Sequence, residues 1–279
     1  MPTPACPICR EASTTRLREY RSTLAHSDIF LPLSLYKCES CTGLFAFEAP
    51  SEEALAHYYV NHYRTTREQD HKDGQFDGWN GASVRARSQI DFIQPDKEVV
   101  SWLDIGAGYG DLLDQVRRVG IANTAGVEVA TSIGSSHVRY HTLDEVEGTW
   151  GVVSLSHVLE HFADPHKLLT KLKKLMAPKG LAFCEVPNEL WSDRNNDTPH
   201  LFFYTPRALE RLFKENNFRV LRIDTCGPIY GRQTRSEQLL RRVGWNLWKK
   251  PPLWYDRLCH SEFKYGGPRC RIRLLAAID

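Results

Sequence analysis

Leu103-Asp104-Ile105-Gly106-Ala107-Gly108-Tyr109-Gly110 closes one apolar run, VVSWLDI, and opens a helical one, DLLDQVRRVG. Three glycines at alternate positions let the chain turn tightly between strand and helix and let a ligand approach the backbone. A dinucleotide fingerprint needs Gly-x-Gly-x-x-Gly, and the place of its third glycine is held by Asp111. Here Gly106, Gly108 and Gly110 follow Asp104, and Glu128 stands 18 residues past Gly110 at the end of the next apolar run, TAGVEV. A carboxylate at that place can accept both hydroxyl protons of a ribose. The pattern fits a ligand that contains a nucleoside.

The glycine turn lies in an alternation of strands and helices. VVSWLDI, TAGVEV, WGVVSLS, LAFCEVP, FRVLRID and RCRIRLLAAI have the apolar density of strands, and DLLDQVRRVG, HKLLTKLKKLM and TPRALERLFKENN the spacing of amphipathic helices. Leu168, Leu169, Leu172, Leu175 and Met176 repeat at helical intervals before Ala177-Pro178-Lys179-Gly180 stops the run. The succession predicts an α/β protein with a doubly wound, Rossmann-like sheet over residues 98–279 and ligands at the carboxyl ends of its strands. Residues 50–97 read as a helical connector or lid whose helix starts at Ser51, with Tyr58, Tyr59 and Tyr63 either closing over a ligand or forming an ordinary apolar face.

Ahead of the connector, residues 1–49 carry two Cys-x-x-Cys pairs, Cys6/Cys9 and Cys38/Cys41, separated by 28 residues. Four thiolates at about 2.3 Å around Zn²⁺ form a closed structural site, which lets a short segment order with little core of its own. Redox chemistry is the poorer reading, because neither pair opens a helix after a strand. Cys184, Cys226, Cys259 and Cys270 are dispersed and read as buried small residues. The chain of 279 residues, 42% hydrophobic and 25% charged, excludes a fibrous or disordered protein. A net charge of +2 is too balanced for bulk nucleic-acid binding. With no leader-like start and no long apolar run, the expectation is a soluble cytoplasmic protein.

Taken in order, LDIGAGYGDLL, GVEVA, VVSLSHVLEHFADP, LMAPKGLAFCEVPN and HLFFYTPRALERLF resemble the class I S-adenosylmethionine-dependent methyltransferases over roughly residues 98–225. With CPIC and CESCTG in front, the chain resembles the subgroup with an amino-terminal zinc-binding domain, which includes sugar and natural-product enzymes. The resemblance implies that Gly106, Gly108 and Gly110 line the methionine part of the cofactor. Asp104 would hold the turn and the amino group, and Glu128 the ribose. Thr142, Leu143 and Asp144 would lie near the adenine, with Ser156 completing the set. Gly151 departs from the pattern, since many relatives place an aspartate there.

Methyl transfer from a sulfonium is an in-line displacement, for which a protein aligns the partners and takes the proton of a hydroxyl acceptor. His157, Glu160 and His161 follow the fourth strand of the pattern and His200 follows the fifth, so these four are the catalytic candidates. Any one of the histidines, and His166 above all, is as readily a hydrogen-bonded structural residue. His157-Val-Leu-Glu160-His161 also has the His-x-x-Glu-His spacing of some zinc proteases, but that motif must lie within a long helix and here a strand precedes it. The loop further resembles that of certain quinone and small-RNA O-methyltransferases, which would imply a divalent ion held by His157, Glu160, His161 and His200.

Residues 228–266 carry eight basic against three acidic residues, a balance of +5, interleaved with aromatics that include Trp245, Trp248 and Trp254. Such a segment suits a cap over a phosphorylated or sugar-containing acceptor, a membrane surface, or an amphipathic add-on. No Asp/Asn-Pro-Pro-Tyr/Phe motif follows the fourth strand, which argues against amino methylation of adenine or cytosine. The leading expectation is methylation of a hydroxyl or carbon on a polar, sugar-containing small molecule. The alternatives are a metal-assisted O-methyltransferase for RNA or a quinone-like aromatic, and a non-catalytic zinc- and cofactor-binding module.

Overall fold

The computed structural model describes residues 3–22, 28–63, 78–130, 135–189, 197–228, 263–265 and 269–278. Its strands are β1 (Thr14–Glu19), β2 (Ser34–Cys38), β3 (Leu44–Phe47), β4 (Ser101–Ile105), β5 (Asn123–Val127), β6 (Val138–Tyr140), β7 (Trp150–Ser156), β8 (Met176–Pro187), β9 (Phe202–Phe203), β10 (Arg219–Pro228), β11 (Phe263–Tyr265) and β12 (Arg271–Ala277). The helices are α1 (Glu52–Tyr58), α2 (Gly78–Ile93), α3 (Asp111–Arg118), α4 (Pro165–Lys174) and α5 (Pro206–Glu215). One π-helical turn, Tyr59–Tyr63, continues α1. Of the basic and aromatic insertion, 229–262 and 266 lie outside the described residues.

The large sheet has the order β11-β10-β12-β8-β7-β4-β5-β6. From β8 to β6 all pairs are parallel, and β12 runs antiparallel between β8 and β10. The chain passes from β4 outward through β5 and β6, then returns to the other side of β4 for β7 and β8. The carboxyl end of β4 is therefore a topological switch point, where neighbouring connections diverge and leave a crevice. The glycine turn sits on that crevice.

Both faces of the parallel strands are covered, which explains their near-continuous apolar character. Alternate residues divide between two cores. Leu103, Val153 and Leu274 join α4 and α5 on one face, while Trp102, Val152, Phe183 and Leu275 meet α2 and α3 on the other. Helix starts follow capping chemistry: Asp164 and Thr205 accept from Lys167 N and Ala208 N, each with proline at the first helical position, and Ser51 caps α1 through Ala54 N.

The first 47 residues are not a free-standing appendage. Their antiparallel sheet has the order β1-β2-β3-β9, so its last strand comes from the loop that carries His200. Their apolar residues, among them Ile8, Phe30, Leu35 and Phe45, lie in one core with Leu209, Leu212 and Phe213 of α5. Gly43 is the close contact: a Cβ there would meet Ile8 Cδ1 at 2.7 Å and Ala208 Cβ at 2.9 Å.

Two local expectations change. The Ala177–Gly180 stretch that closes the helical pattern runs inside β8, where Lys179 at φ 62° takes up the register shift between β7 and β8. Gly151 lies at the amino end of β7, its N–H bonded to Ser101 Oγ at 2.9 Å, at the end of the strands opposite the ligand crevice. Its departure from the family pattern therefore does not touch the site.

Candidate active site

Gly106, Gly108 and Gly110 all adopt positive φ, at 72°, 55° and 88°. The turn closes on β5: Gly106 N and Ala107 N both donate to Val127 O, at 2.8 and 3.0 Å. At Gly106 a Cβ would sit 2.3 Å from Val158 Cγ2, so the glycine turn touches the loop that follows β7. At Gly110 a Cβ would sit 2.4 Å from His137 Cδ2. Glycine is required at both places by backbone hand and by space.

Glu128, buried at the end of β5, accepts from Gly108 N at 3.0 Å with Oε2 and from Ala130 N at 3.1 Å with Oε1. The two backbone contacts hold the carboxylate against the glycine turn. Asp104 is buried beneath the turn, accepts from Ser154 Oγ at 2.6 Å, and is pushed by burial up to about 7. Ser154 is itself held by Trp102 Nε1 at 2.9 Å. Ser156 accepts from Gln89 Nε2 of α2 at 3.0 Å.

Thr142, Leu143 and Asp144 follow β6. Glu145 accepts from the backbone N–H groups of His141 and Thr142, and His141 Nδ1 donates to Glu128 O at 3.0 Å. That loop is thereby tied to the end of β5. Asp144 points outward and pairs with Lys171 at 2.7 Å.

At the carboxyl end of β7, three imidazoles surround one carboxylate. Glu160 is fully buried; its Oε1 lies 3.4 Å from His157 Nδ1, 3.9 Å from His161 Nε2 and 4.0 Å from His200 Nε2. Neither Glu160 oxygen accepts a hydrogen bond of normal geometry. Burial pushes this carboxyl up, but the His157, His161 and His200 rings hold it at about 2. The four catalytic candidates thus form one cluster, drawn from the loop after β7 and the loop before β9.

His157 has φ 56°, a left-handed backbone that a non-glycine residue adopts only when its surroundings impose it. Its N–H donates to Glu185 O at 2.8 Å, and its Nε2 faces Glu185 Oε1 at 3.4 Å. Glu185, on β8, is directly opposite Arg273 on β12 and bonded to it at 2.6 Å, both fully buried. Burial raises the Glu185 carboxyl, and Arg273, His157, Arg271 and Arg85 outweigh that and hold it well below the carboxylate range. Sequence reading passed over this ionic layer. Its signal was one charge in the apolar run CEVP and two alternating arginines in RIRLL.

The connector tyrosines reach the same cluster. Tyr59 OH lies 2.9 Å from His161 Nδ1 and 3.3 Å from Pro199 O. Tyr63 stands 6.1 Å from the His161 ring, whereas Tyr58 is buried against Phe30. His166 is structural: its Nδ1 accepts from Asn216 Nδ2 at 2.8 Å. Cys184 and Cys226 are buried and Cys270 partly so, while Cys259 lies outside the described residues.

Cys6, Cys9, Cys38 and Cys41 converge in the amino-terminal unit, all buried, with every Sγ within 4.8 Å of the others. Cys6 to Cys41 is 3.8 Å and Cys9 to Cys38 is 3.5 Å, close to the roughly 3.8 Å edge of a tetrahedron with bonds of about 2.3 Å. The two pairs also fold alike. In each, the residue after the second cysteine, Arg10 or Thr42, has positive φ and donates to the carbonyl of the first. In each, the first cysteine's N–H reaches the carbonyl five residues on, Glu11 or Gly43. Cys41 N donates to Cys38 Sγ at 3.4 Å. Without a cation, the adjacent Cys6 sulfur and burial push the Cys41 thiol far up. The donor set therefore suits a tetrahedral thiophilic ion.

Comparison with known proteins agrees with this geometry. The family model for a methyltransferase domain matches residues 79–223, just over half of the chain, and the chain belongs to that family. It is an S-adenosylmethionine-dependent methyltransferase. No curated protein matches the sequence. Among solved structures, an S-adenosylmethionine-dependent methyltransferase from Thermotoga maritima, described as a possible histamine N-methyltransferase, matches with a TM-score of 0.53 at 11% identity, over 81% of this chain and all of that one. A methyltransferase from Archaeoglobus fulgidus matches at 0.47 and 21% identity, over 77% and 99% of the two chains. The plantazolicin methyltransferase BpumL, in complex with S-adenosylhomocysteine and a substrate analogue, matches at 0.48 and 12% identity, over 81% and 95%. Among the described residues no helix is long and apolar enough to cross a membrane.

Proposed function

We propose that this methyltransferase acts on a hydroxyl or carbon of a polar small molecule, most simply a sugar-containing one, in the cytoplasm, with the four cysteines holding a structural zinc. The observation that carries the reading is the cluster of His157, Glu160, His161 and His200 set against the glycine turn through the contact of Val158 with Gly106.

The residues at the crevice fit the cofactor: a cradle that admits no Cβ, a carboxylate aimed by two backbone N–H groups, and a loop tied to that carboxylate. Gly106, Gly108, Gly110, Asp104, Glu128, Thr142, Leu143 and Ser156 would hold it, with Asp144 at the rim. When bound, S-adenosylmethionine supplies an electrophilic methyl on a sulfonium. The protein's share is to align the acceptor, exclude water and take the acceptor's proton. Glu160, kept ionised by the surrounding rings, orients the histidines toward that task. An imidazole of His157, His161 or His200 is the base.

The sugar acceptor is supported by the resemblance of the whole pattern, cysteine pairs included, to sugar methyltransferases. Zinc is supported by the tetrahedral sulfur spacing. No nucleic-acid partner is proposed, given the net charge of +2. The test is methyl transfer from radiolabelled S-adenosylmethionine to a panel of nucleotide sugars, free glycosides, catechols and RNA. Transfer to a sugar that is lost in His200→Ala, with S-adenosylhomocysteine binding intact, supports the reading. Transfer only to RNA or catechol would replace its acceptor, and a protein that binds no S-adenosylhomocysteine would remove its basis.

A further inference from the structure

We propose that Arg85 docks an anionic group of the methyl acceptor, a carboxylate or phosphate carried within a few bonds of the methylated atom, so that the acceptor is an acidic small molecule such as a sugar acid or sugar phosphate. The acceptor role rests on the methyltransferase reading; anion binding at Arg85 does not.

The first observation is a guanidinium with idle donors. Arg85 belongs to α2, and its contact with an acid is Nε to Glu185 Oε1 at 3.8 Å, beyond hydrogen-bonding reach. Among the described residues its N–H groups find no acceptor. Burial lowers the guanidinium from its ordinary value by more than the Glu185 carboxylate raises it. A cation drawn partly out of water gains most from an anion that offers two oxygens, because its planar fork then makes two charge-assisted bonds at once.

The second is that Glu185 does not account for Arg85. Arg273, directly across β12 and β8, already bonds Glu185 Oε2 at 2.6 Å, and His157 Nε2 and Arg271 Nε stand 3.4 and 3.9 Å from Oε1. An arginine kept only to neutralise this carboxylate would duplicate Arg273, which is wholly buried with it. Arg85 has the most open side chain of the three arginines, at 33% exposure against 22% for Arg271 and 0% for Arg273.

The third is position. Arg85, Ser88 and Gln89 follow at helical intervals on one face of α2. Ser88 Oγ accepts from Arg273 at 2.9 Å, and Gln89 Nε2 donates to Ser156 Oγ at 3.0 Å. Ser156 and Glu185 are partners across β7 and β8, so this face of α2 lies along the carboxyl ends of those strands. In the sheet, β8 stands three strands from β5, where Glu128 closes on the glycine turn, about 14 Å at the usual strand spacing. The cofactor cradle and Arg85 thus flank the end of β7, and His157 leaves that strand between them. Because His157 Nε2 and Arg85 Nε face the same oxygen of Glu185, an anion on Arg85 sits a few bonds from an atom beside the histidine cluster.

The test titrates full-length protein saturated with S-adenosylhomocysteine, by calorimetry, with glucuronate, inorganic phosphate and neutral glucose. Saturable binding of one anion per chain is expected, with glucose at least about tenfold weaker, and Arg85→Met should weaken the anion about 10- to 100-fold. Arg85→Lys keeps the charge without the fork and should recover part of the loss, and it serves if Arg85→Met misfolds. Absence of saturable anion binding in protein that binds S-adenosylhomocysteine overturns the site and leaves the methyltransferase reading standing. A loss of S-adenosylhomocysteine affinity in Arg85→Met that is not shared by methylthioadenosine, which lacks the amino-acid carboxylate, assigns Arg85 to the cofactor and overturns the acceptor role. Unchanged anion binding in Arg85→Met, with a lowered unfolding midpoint, makes Arg85 a further counter-ion of Glu185 and overturns the proposal.

Discussion

The Tyr20 hydroxyl donates to the carbonyl of His200 at 2.7 Å, joining the amino-terminal unit to the reaction cluster across 180 residues of chain. The contact is reinforced next to it. Arg18 grips buried Asp197 with two bonds, at 2.5 and 2.8 Å, and the backbones of Arg21 and Asp197 bond to each other. Strand β3 then pairs with β9, immediately after His200. The small unit is thus the mould that shapes one wall of the site.

Chelating the zinc proposed at the four cysteines is therefore expected to abolish methyl transfer even though they lie outside the crevice. Tyr20→Phe should lower kcat with little change in S-adenosylhomocysteine affinity. Arg18→Ala, which takes the guanidinium from buried Asp197 and leaves its carboxylate the Arg21 N–H, should destabilise the fold by about 2–3 kcal/mol. Methyl-transfer rates, calorimetry of S-adenosylhomocysteine binding and urea unfolding on the same preparations check the three in turn.

Gly110→Ala places a Cβ 2.4 Å from the His137 ring on a backbone of φ 88°. The left-handed conformation alone disfavours alanine by about 1–2 kcal/mol. The variant should lose at least this in stability and bind S-adenosylhomocysteine at least about tenfold more weakly, a difference of about 1.4 kcal/mol. At Gly106 the pairing Gly106→Ala with Val158→Ala should recover the clash but not the backbone strain, which a thermal-shift series will separate.

Burial lifts the Asp104 carboxyl from 3.8 to about 7 in the folded chain. Below about pH 4 folded and unfolded chains both hold the proton, and the group contributes nothing to the pH dependence. As pH rises from about 4 to 7 the unfolded chain releases it first, so stability falls, and above 7 the loss is constant. Three units correspond to at most about 4 kcal/mol. The stability of Asp104→Asn relative to the parent should grow over that window and then level, as denaturation at stepped pH will show.

Arg273 and Glu185 are fully buried and directly opposed across β12 and β8, and Arg273 also satisfies the carbonyl and hydroxyl of Ser88. Arg273→Met strips a buried carboxylate of its nearest cation and should lose about 3–5 kcal/mol. Because Glu185 faces His157, the same change should shift the pH profile of kcat, a readout that packing loss alone would not move. Steady-state rates across pH 5–9 decide it.

Much of the fold was legible in the sequence because its signals are local. Strand β7 was readable residue for residue, since a strand buried on both faces is continuously apolar. The glycine turn declared itself because only glycine relieves positive φ and close contact at once. β6 was missed: three residues with one exposed and two half-buried carry no pattern. β9, two residues long, exists only because β3 offers it an edge.

The sequence by itself determined the alternating α/β order, the ligand turn and the four sulfur donors, because periodicity, backbone hand and donor spacing act over a few residues. Only the tertiary structure decided that Glu160 gathers three imidazoles, that Tyr59 meets His161, and that Arg273 lies opposite Glu185. These depend on register and burial between segments distant in sequence. A carboxylate's charge state and a ring's proton are set by what surrounds them in space, and the order of residues along the chain does not contain that distance.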